Sequence, residues 1–192
     1  MYQLLDIFIQ RDIKKNVPGD LMVLDTENLS VRLFSMDDAE FISTLLNEPS
    51  FIENIADKGI RTLEDAKSYL LNGPMASYKR FGFGLWLVEL KDCDVPIGMC
   101  GLLKRDFLED VDIGYAFLPE YCSQGYALEV SSAVIRYARG QLGLKKVVAI
   151  VNDDNLRSIR LLGKLGFRYE RMVRLADDDK EVQLLAVSAW QW

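Results

Sequence analysis

The order of elements across residues 111 to 151 constrains this chain more than any other stretch. VDIGYAFL (111 to 118) is a short apolar run that reads as a strand. Val130, Val134, Tyr137 and Ala138 then recur at helical spacing over 127 to 142, and KKVVAIV (145 to 151) reads as a buried strand. Two strands joined through a helix cannot form a hairpin, so the pair is expected to be parallel, linked by a crossover. Between the first strand and the helix stands LPEYCSQGYALEV, a short polar loop with one glycine. Free backbone N–H groups gather at such a helix N-terminus and can hold a phosphate. Gly125 allows close approach of a ligand, and the small Ser123 and Ala127 keep neighbouring N–H groups accessible. The same turn can also be a plain structural connection, so the assignment needs support from elsewhere in the chain.

The remaining segments arrange themselves around that unit. Residues 1 to 20 end in the turn-forming NVPGD and read as an N-terminal extension to a domain spanning 21 to 192. Ser35 to Asp38 and Thr62 to Asp65 each have capping-box spacing ahead of an apolar helical face, with Pro49 and then Gly73-Pro74 as the expected stops. FGLWLVEL (83 to 90), PIGMCGLL (96 to 103) and VDIGYAFL form an antiparallel meander. A helix through Leu156, Ile159, Leu162 and Leu165 ends at Gly166, with Phe167 as the hydrophobic contact beyond the cap. FRYERMVRL and KEVQLLAVSAW close the chain as two strands around Asp177-Asp178-Asp179.

Several classes of function are excluded by what the chain lacks. There is no histidine, which removes every Ser-His or Cys-His nucleophile scheme. Cys93, Cys100 and Cys122 are odd in number and lack metal-type spacing, so neither a disulfide framework nor a zinc site is implied. No run of eighteen apolar residues occurs, and the expectation is a soluble cytoplasmic protein with no membrane partner. A chain of 192 residues, 49% hydrophobic, suits one domain with one sizeable core. The net charge of −6 argues against general nucleic-acid binding. Yet residues 136 to 174 hold ten basic and three acidic side chains, against 13 basic and 26 acidic elsewhere. An anionic ligand on the C-terminal half fits that asymmetry, as do ordinary solvated helix faces.

LPEYCSQGYALE resembles the pyrophosphate loop of the GNAT N-acetyltransferases, whose pattern is Gln/Arg-x-x-Gly-x-Gly/Ala. Gly125 and Ala127 match its last two positions, while Cys122 departs from the first. NDDNLRSIRLLGKLGF is similar to the N-x-x-S-x-x-x-x-x-x-x-G-F signature of the RimJ/RimL-like subfamily of ribosomal-protein acetyltransferases, with Asn155, Ser158, Gly166 and Phe167 in register. LDTENLSVRLFSMDDAEFISTLLNEP and VDIGYAFLPEY resemble the family's opening strand and helix and its fourth strand. The resemblance implies an α/β fold with a mixed, splayed sheet of six to seven strands and about four helices. Its parallel central strands part to admit the pantetheine arm of acetyl-CoA. Phe117 and Leu118 would line that channel, or serve as ordinary strand core. Cys122, Ser123, Gln124, Gly125, Tyr126 and Ala127 would hold the pyrophosphate.

The resemblance also frames the chemistry: a neutral amine attacks the thioester, a base takes its proton, and a donor meets the departing thiolate. Many members place a tyrosine acid four residues before Gly-Phe, but Leu162 stands there. Ser158 is the implied replacement, with Asn155 helping to position the cofactor. Alternatively Asn155 caps the helix and Ser158 lies in its first turn. Asp112 matches the family's base, with Asp110 or Glu109 favoured if the register slips; Asp112 could also be a solvent-facing strand residue. The expected reaction carries acetyl from acetyl-CoA to a primary amine, preferably a protein α-amine, by direct attack in a ternary complex. The expected protein is a monomer or homodimer and uses no metal. An inactive acyl-CoA-binding module and a polyamine or aminoglycoside acetyltransferase are the alternatives.

Overall fold

A computed structural model describes residues 22–175 and 181–188. The expected N-terminal extension and the turn at Asp177–Asp179 lie outside the described residues.

Among the described residues one eight-stranded sheet organises the fold. Its strands are β1 (Met22–Asp25), β2 (Leu29–Arg32), β3 (Leu85–Leu90), β4 (Val95–Leu103), β5 (Val111–Phe117), β6 (Val147–Val151), β7 (Arg168–Arg174) and β8 (Glu181–Val187). They lie in the order β1-β2-β3-β4-β5-β6-β8-β7. The mixed α/β architecture is as expected, with one more strand than the upper expectation. Antiparallel pairing runs through β5, and β6 then joins β5 in parallel, as the crossover requires.

The helices are α1 (Ala39–Asn47), α2 (Pro49–Asn54), α3 (Leu63–Asn72), α4 (Pro74–Phe81), α5 (Tyr126–Gly140) and α6 (Leu156–Lys164). Both expected capping boxes form, at Ser35 before a 3₁₀ turn leading into α1 and at Thr62 before α3. Pro49 and Pro74 do end the preceding helices, but each also opens a new one as its first residue. Proline is tolerated there because the N–H it lacks has no partner in the first helical turn, and its fixed φ already suits the helix. Helix-stop spacing thus hid α2 and α4.

Strand alternation divides the core between the two faces of the sheet. Ile42, Leu45 and Leu46 of α1, Phe51 of α2 and Leu70 of α3 pack with Leu85, Leu87, Met99 and Leu118 on one side. Val130, Val134 and Ala138 of α5 and Leu162 of α6 pack with Trp86, Cys100, Ile113 and Ala149 on the other. Along β5, Val111, Ile113, Tyr115 and Phe117 therefore face α5 and α6, while Asp112 and Ala116 face the layer of the first helices. Among the described residues no helix is long and apolar enough to cross a membrane.

Candidate active site

The parallel pairing of β5 and β6 stops almost as soon as it starts. Val111 pairs with Val147 and Asp112 with Val148; beyond them the strands diverge. On β5, Ile113 to Phe117 keep their antiparallel partners on β4 but have no ladder to β6, while Ala149, Ile150 and Val151 pair only with β8. The result is a wedge in the middle of the sheet, whose β5 wall presents backbone polar groups that an extended ligand can pair with as an added strand.

A polar loop lies at the wide end of this wedge. The chain leaves β5 through a 3₁₀ turn, Pro119–Tyr121, and reaches α5 with Gly125 as its N-cap. Ser123 (φ 63°) and Gly125 (φ 93°) are both left-handed, and such conformations in a turn gather successive N–H groups around a concavity suited to an anion. Among the described residues no side chain caps α5, and its first hydrogen bond runs from the Glu129 N–H to the Gly125 carbonyl at 3.0 Å. The amides of Tyr126, Ala127 and Leu128 precede that bond and have no helical acceptor. A Cβ placed on Gly125 would meet nothing within 4 Å among the described residues, which leave the approach to these amides open.

Other loop side chains hold its shape. The Cys122 thiol points back to the Leu118 carbonyl at 3.5 Å, and Gln124 Nε2 donates to the Glu120 carbonyl at 2.6 Å. Tyr126 is half-buried against the core beneath α5. From the first turn of α6, Arg157 donates through Nη2 to Ser123 Oγ at 3.1 Å, bringing a guanidinium to the loop. Residue-level sequence reading missed Arg157, although the basic excess of the C-terminal half was its signal.

Phe117 and Leu118 part company. Phe117 lies on the α5–α6 face, where Gly98 makes room for it: a Cβ at Gly98 would fall 2.6 Å from the Phe117 ring. Leu118 is buried among the residues of α1, α2 and α3, and its N–H donates to the Ile97 carbonyl at 2.9 Å. Asn155 is the N-cap of α6; its side-chain oxygen accepts from the Ser158 N–H at 3.0 Å, which places Ser158 in the first turn. The capping alternative is therefore present. It leaves the Ser158 hydroxyl available for other contacts.

Asp112 occupies the apex of the wedge, at the last parallel pair. It is not solvent-facing: only 1% of its surface is exposed. Arg105 Nε donates to Oδ2 at 2.6 Å, whereas Oδ1 is buried without a well-formed hydrogen bond among the described residues. Burial pushes the Asp112 carboxyl up to about 6, against the opposing pull of Arg105 and the nearby Ile150 N–H. Tyr69 of α3, itself pushed up to about 12 by burial, lies close enough to feel Arg105. Farther out, Asn152 after β6 donates to the Asn54 carbonyl of α2 at 3.1 Å, tying the end of the β6 wall to the first helices. Asp110 instead pairs with Lys146 at 3.2 Å.

On the opposite face, Tyr115 comes between β5 and the helices. Its hydroxyl is buried and lacks a well-formed hydrogen bond among the described residues, yet Ser158 is near enough to favour its ionised form. Leu162, where many relatives carry tyrosine, is packed in the core at 1% exposure. The sequence reading singled out neither Tyr115 nor Arg105. Tyr115 lies in an assigned strand and Arg105 in the unassigned connection before it, and nothing in their spacing foretold the parting of β5 from β6. Among the described residues no His, Cys, Asp or Glu cluster could hold a metal ion.

A family model described as "Acetyltransferase (GNAT) domain" matches residues 28–168. The uncharacterized N-acetyltransferase YoaA of Bacillus subtilis is 30% identical over 155 residues, covering 79% of this chain and 86% of the relative. Among solved structures, RimL, a ribosomal alpha-N-protein acetyltransferase in complex with coenzyme A, superposes with a TM-score of 0.76 at 14% identity, covering 88% of this chain and 98% of that one. A microcin self-immunity acetyltransferase, MccE, in complex with acetyl-CoA and AMP, gives 0.73 at 17% identity, covering 90% and 97%.

Proposed function

Because the chain belongs to the GNAT acetyltransferase family, and is therefore an acyltransferase, we propose that it carries acetyl from acetyl-CoA to a protein N-terminal α-amine by direct attack in a ternary complex. The observation that supports this most is the parting of β5 from β6 at Asp112, with the uncapped N-terminus of α5 at the open end. In this reading Cys122 to Ala127 form the pyrophosphate cradle, in which the backbone from Ser123 through Ala127 supplies the N–H groups. Phe117 and the backbone of Leu118 flank the pantetheine arm. Arg157 adds positive charge, and Asn155 sets the first turn of α6 so that Ser158 faces the cleft. The uncharged loop and helix N-terminus favour an anion through oriented dipoles, so the substituted Cys122 position need not itself be basic.

The acceptor amine approaches from the α1–α3 face, where Asp112 receives its proton directly or through a water. A carboxylate near 6 is a modest base, which suits an acceptor that is already partly neutral at pH 7. An α-amine, with an ordinary pKa of about 7.7 to 8.0, meets that condition; a lysine side chain near 10.4 meets it poorly. The location of action proposed is the cytoplasm, where reduced thiols suit the three free cysteines.

Two measurements test the proposal. Acetyl-CoA at a hundred times its Kd is expected to stabilise the protein by about 2.7 kcal/mol, roughly 5 to 11 °C in Tm, with ATP and NAD leaving Tm unchanged. Thiol release is then followed over peptides with free N-termini, polyamines and aminoglycosides. A folded, initially ligand-free protein whose Tm ignores acetyl-CoA defeats the cofactor assignment. Faster turnover of polyamines or aminoglycosides than of any peptide defeats the acceptor assignment.

A further inference from the structure

We propose that the Tyr115 hydroxyl is the hydrogen-bond donor that meets the departing sulfur of acetyl-CoA, taking from the sheet the place that a helix tyrosine would fill at Leu162. The inference rests on the placement of the thioester in the wedge between β5 and β6.

Three observations converge on it. Tyr115 lies on β5 beyond the last parallel pair, on the α5–α6 face, so its side chain stands where the sheet has opened. Its hydroxyl is enclosed, yet has no well-formed hydrogen bond among the described residues. A buried hydroxyl without a partner is costly, and such a group in a cleft suggests that its partner arrives with the ligand. Finally, the helix position that could have supplied a phenol holds Leu162, whose side chain is packed into the core and has no polar atom. Ser158, in the first turn of α6, is the hydroxyl beside Tyr115 and acts as a positioning residue. Cys100, directly across the β4–β5 ladder from Tyr115, is fully buried; its sulfur lies 3.7 Å from Ser131 Oγ, and burial pushes its thiol up to about 12, so it stays neutral and unreactive.

The chemistry restricts what Tyr115 can do. Burial pushes its phenol up to about 12, so it remains protonated throughout the working range. It is then a weaker acid than a thiol, whose ordinary pKa is about 8.5, and it does not give its proton away. As the amine nitrogen forms its bond to the acetyl carbon, the carbon–sulfur bond breaks and its electron pair passes to sulfur. Tyr115 hydrogen-bonds the resulting thiolate. The proton lost by the amine leaves through Asp112, and coenzyme A takes up a proton from solvent.

The test uses Tyr115→Phe, which removes one oxygen and retains the ring. Three readouts are expected: a free-protein Tm no lower than the parent's, a Tm increment with coenzyme A smaller than the parent's, and kcat reduced about 10- to 100-fold, the loss associated with a hydrogen bond to a charged group. The reduction should be the same factor from pH 6 to 9, since the phenol does not titrate there. Ser158→Ala should lower kcat by a smaller factor and add little in the Tyr115→Phe background. A folded Tyr115→Phe variant with parental kcat overturns the inference alone, as does a variant whose loss changes steeply with pH. A parent with no Tm response to acetyl-CoA overturns the cofactor reading and this inference together.

Discussion

Replacing Asp112 with asparagine separates the energetic consequence of burying this carboxyl from its role as a base. The group's pKa rises from 3.8 to about 6 on folding, so the folded state retains the proton more strongly than the unfolded chain. Stability from this group is therefore lost as pH rises through the window between those two values, and it stays lost above it. The shift of about two units corresponds to about 3 kcal/mol in total, of which about 2 kcal/mol falls between pH 4.5 and pH 8. The amide introduced by Asp112→Asn does not titrate, so the variant escapes this loss. That amide must still lodge its NH₂ beside Arg105, at a cost of about 1–3 kcal/mol, but the cost is the same at every pH and cancels in the comparison. The Tm of the variant minus that of the parent should thus increase by about 4 to 8 °C from pH 4.5 to pH 8. Calorimetry or dye-monitored melting across that range checks it. The kinetic arm follows the same carboxyl: parental kcat/KM should fall on the acid side of about 6, and the variant should lose about 100-fold at pH 7 and less near pH 9, where the amine is already neutral. A flat Tm difference would refute the buried-carboxyl reasoning. Full activity of the folded variant from pH 6 to 9 would remove Asp112 as the base and direct attention to Asp110 or Glu109.

Gly125→Val should weaken acetyl-CoA at least tenfold in a calorimetric titration, because a branched side chain enters the open approach to the α5 amides. Since φ is 93° there, it should also cost about 1–2 kcal/mol of stability through backbone strain; parental affinity in the folded variant would misplace the phosphate cradle. Glu129→Gln probes how the edge of the sheet is fastened to α5, since Glu129 accepts from Thr26 Oγ1 at 2.6 Å and from the Asn28 N–H at 2.8 Å and Nδ2 at 2.9 Å. Hydrogen bonds from Thr26 and Asn28 outweigh desolvation, burial being the largest opposing cause, and hold this carboxyl below its usual range. Its stabilisation is present above the unfolded pKa and lost as pH falls through the lower folded value, so the variant should be destabilised at neutral pH, by under about 1 kcal/mol after solvent screening, and by less in acid; equal deficits at both pH values would contradict the argument.

How far the sequence could be read depends on the range of the interactions involved. The capping boxes at Ser35 and Thr62 are local, complete within four residues, and both form as their spacing indicates. Pro49 and Pro74 are local signals with two meanings, since the ring that ends one helix can begin the next. The first turn of α5 was legible for the same reason: an apolar strand, a loop with glycine and an amphipathic helix leave little choice about where unpaired amides collect. The surroundings of Asp112 and Tyr115 were not legible, because Arg105 reaches one from the β4–β5 loop and Ser158 comes near the other from α6.

The sequence alone determined the alternation of strands and helices, the crossover that makes β5 and β6 parallel, and the position of the turn at the N-terminus of α5, because periodicity and backbone chemistry act over a few residues. It also determined that no histidine takes part. The tertiary structure decided that β5 and β6 part after Asp112, and consequently that Asp112 and Tyr115 are enclosed on opposite faces of the opening. That decision belongs to packing: β6 takes its remaining ladder from β8, while β5 keeps its own with β4. Burial then shifted the carboxyl and the phenol away from their ordinary behaviour, an effect of surroundings drawn from across the chain that no residue spacing encodes.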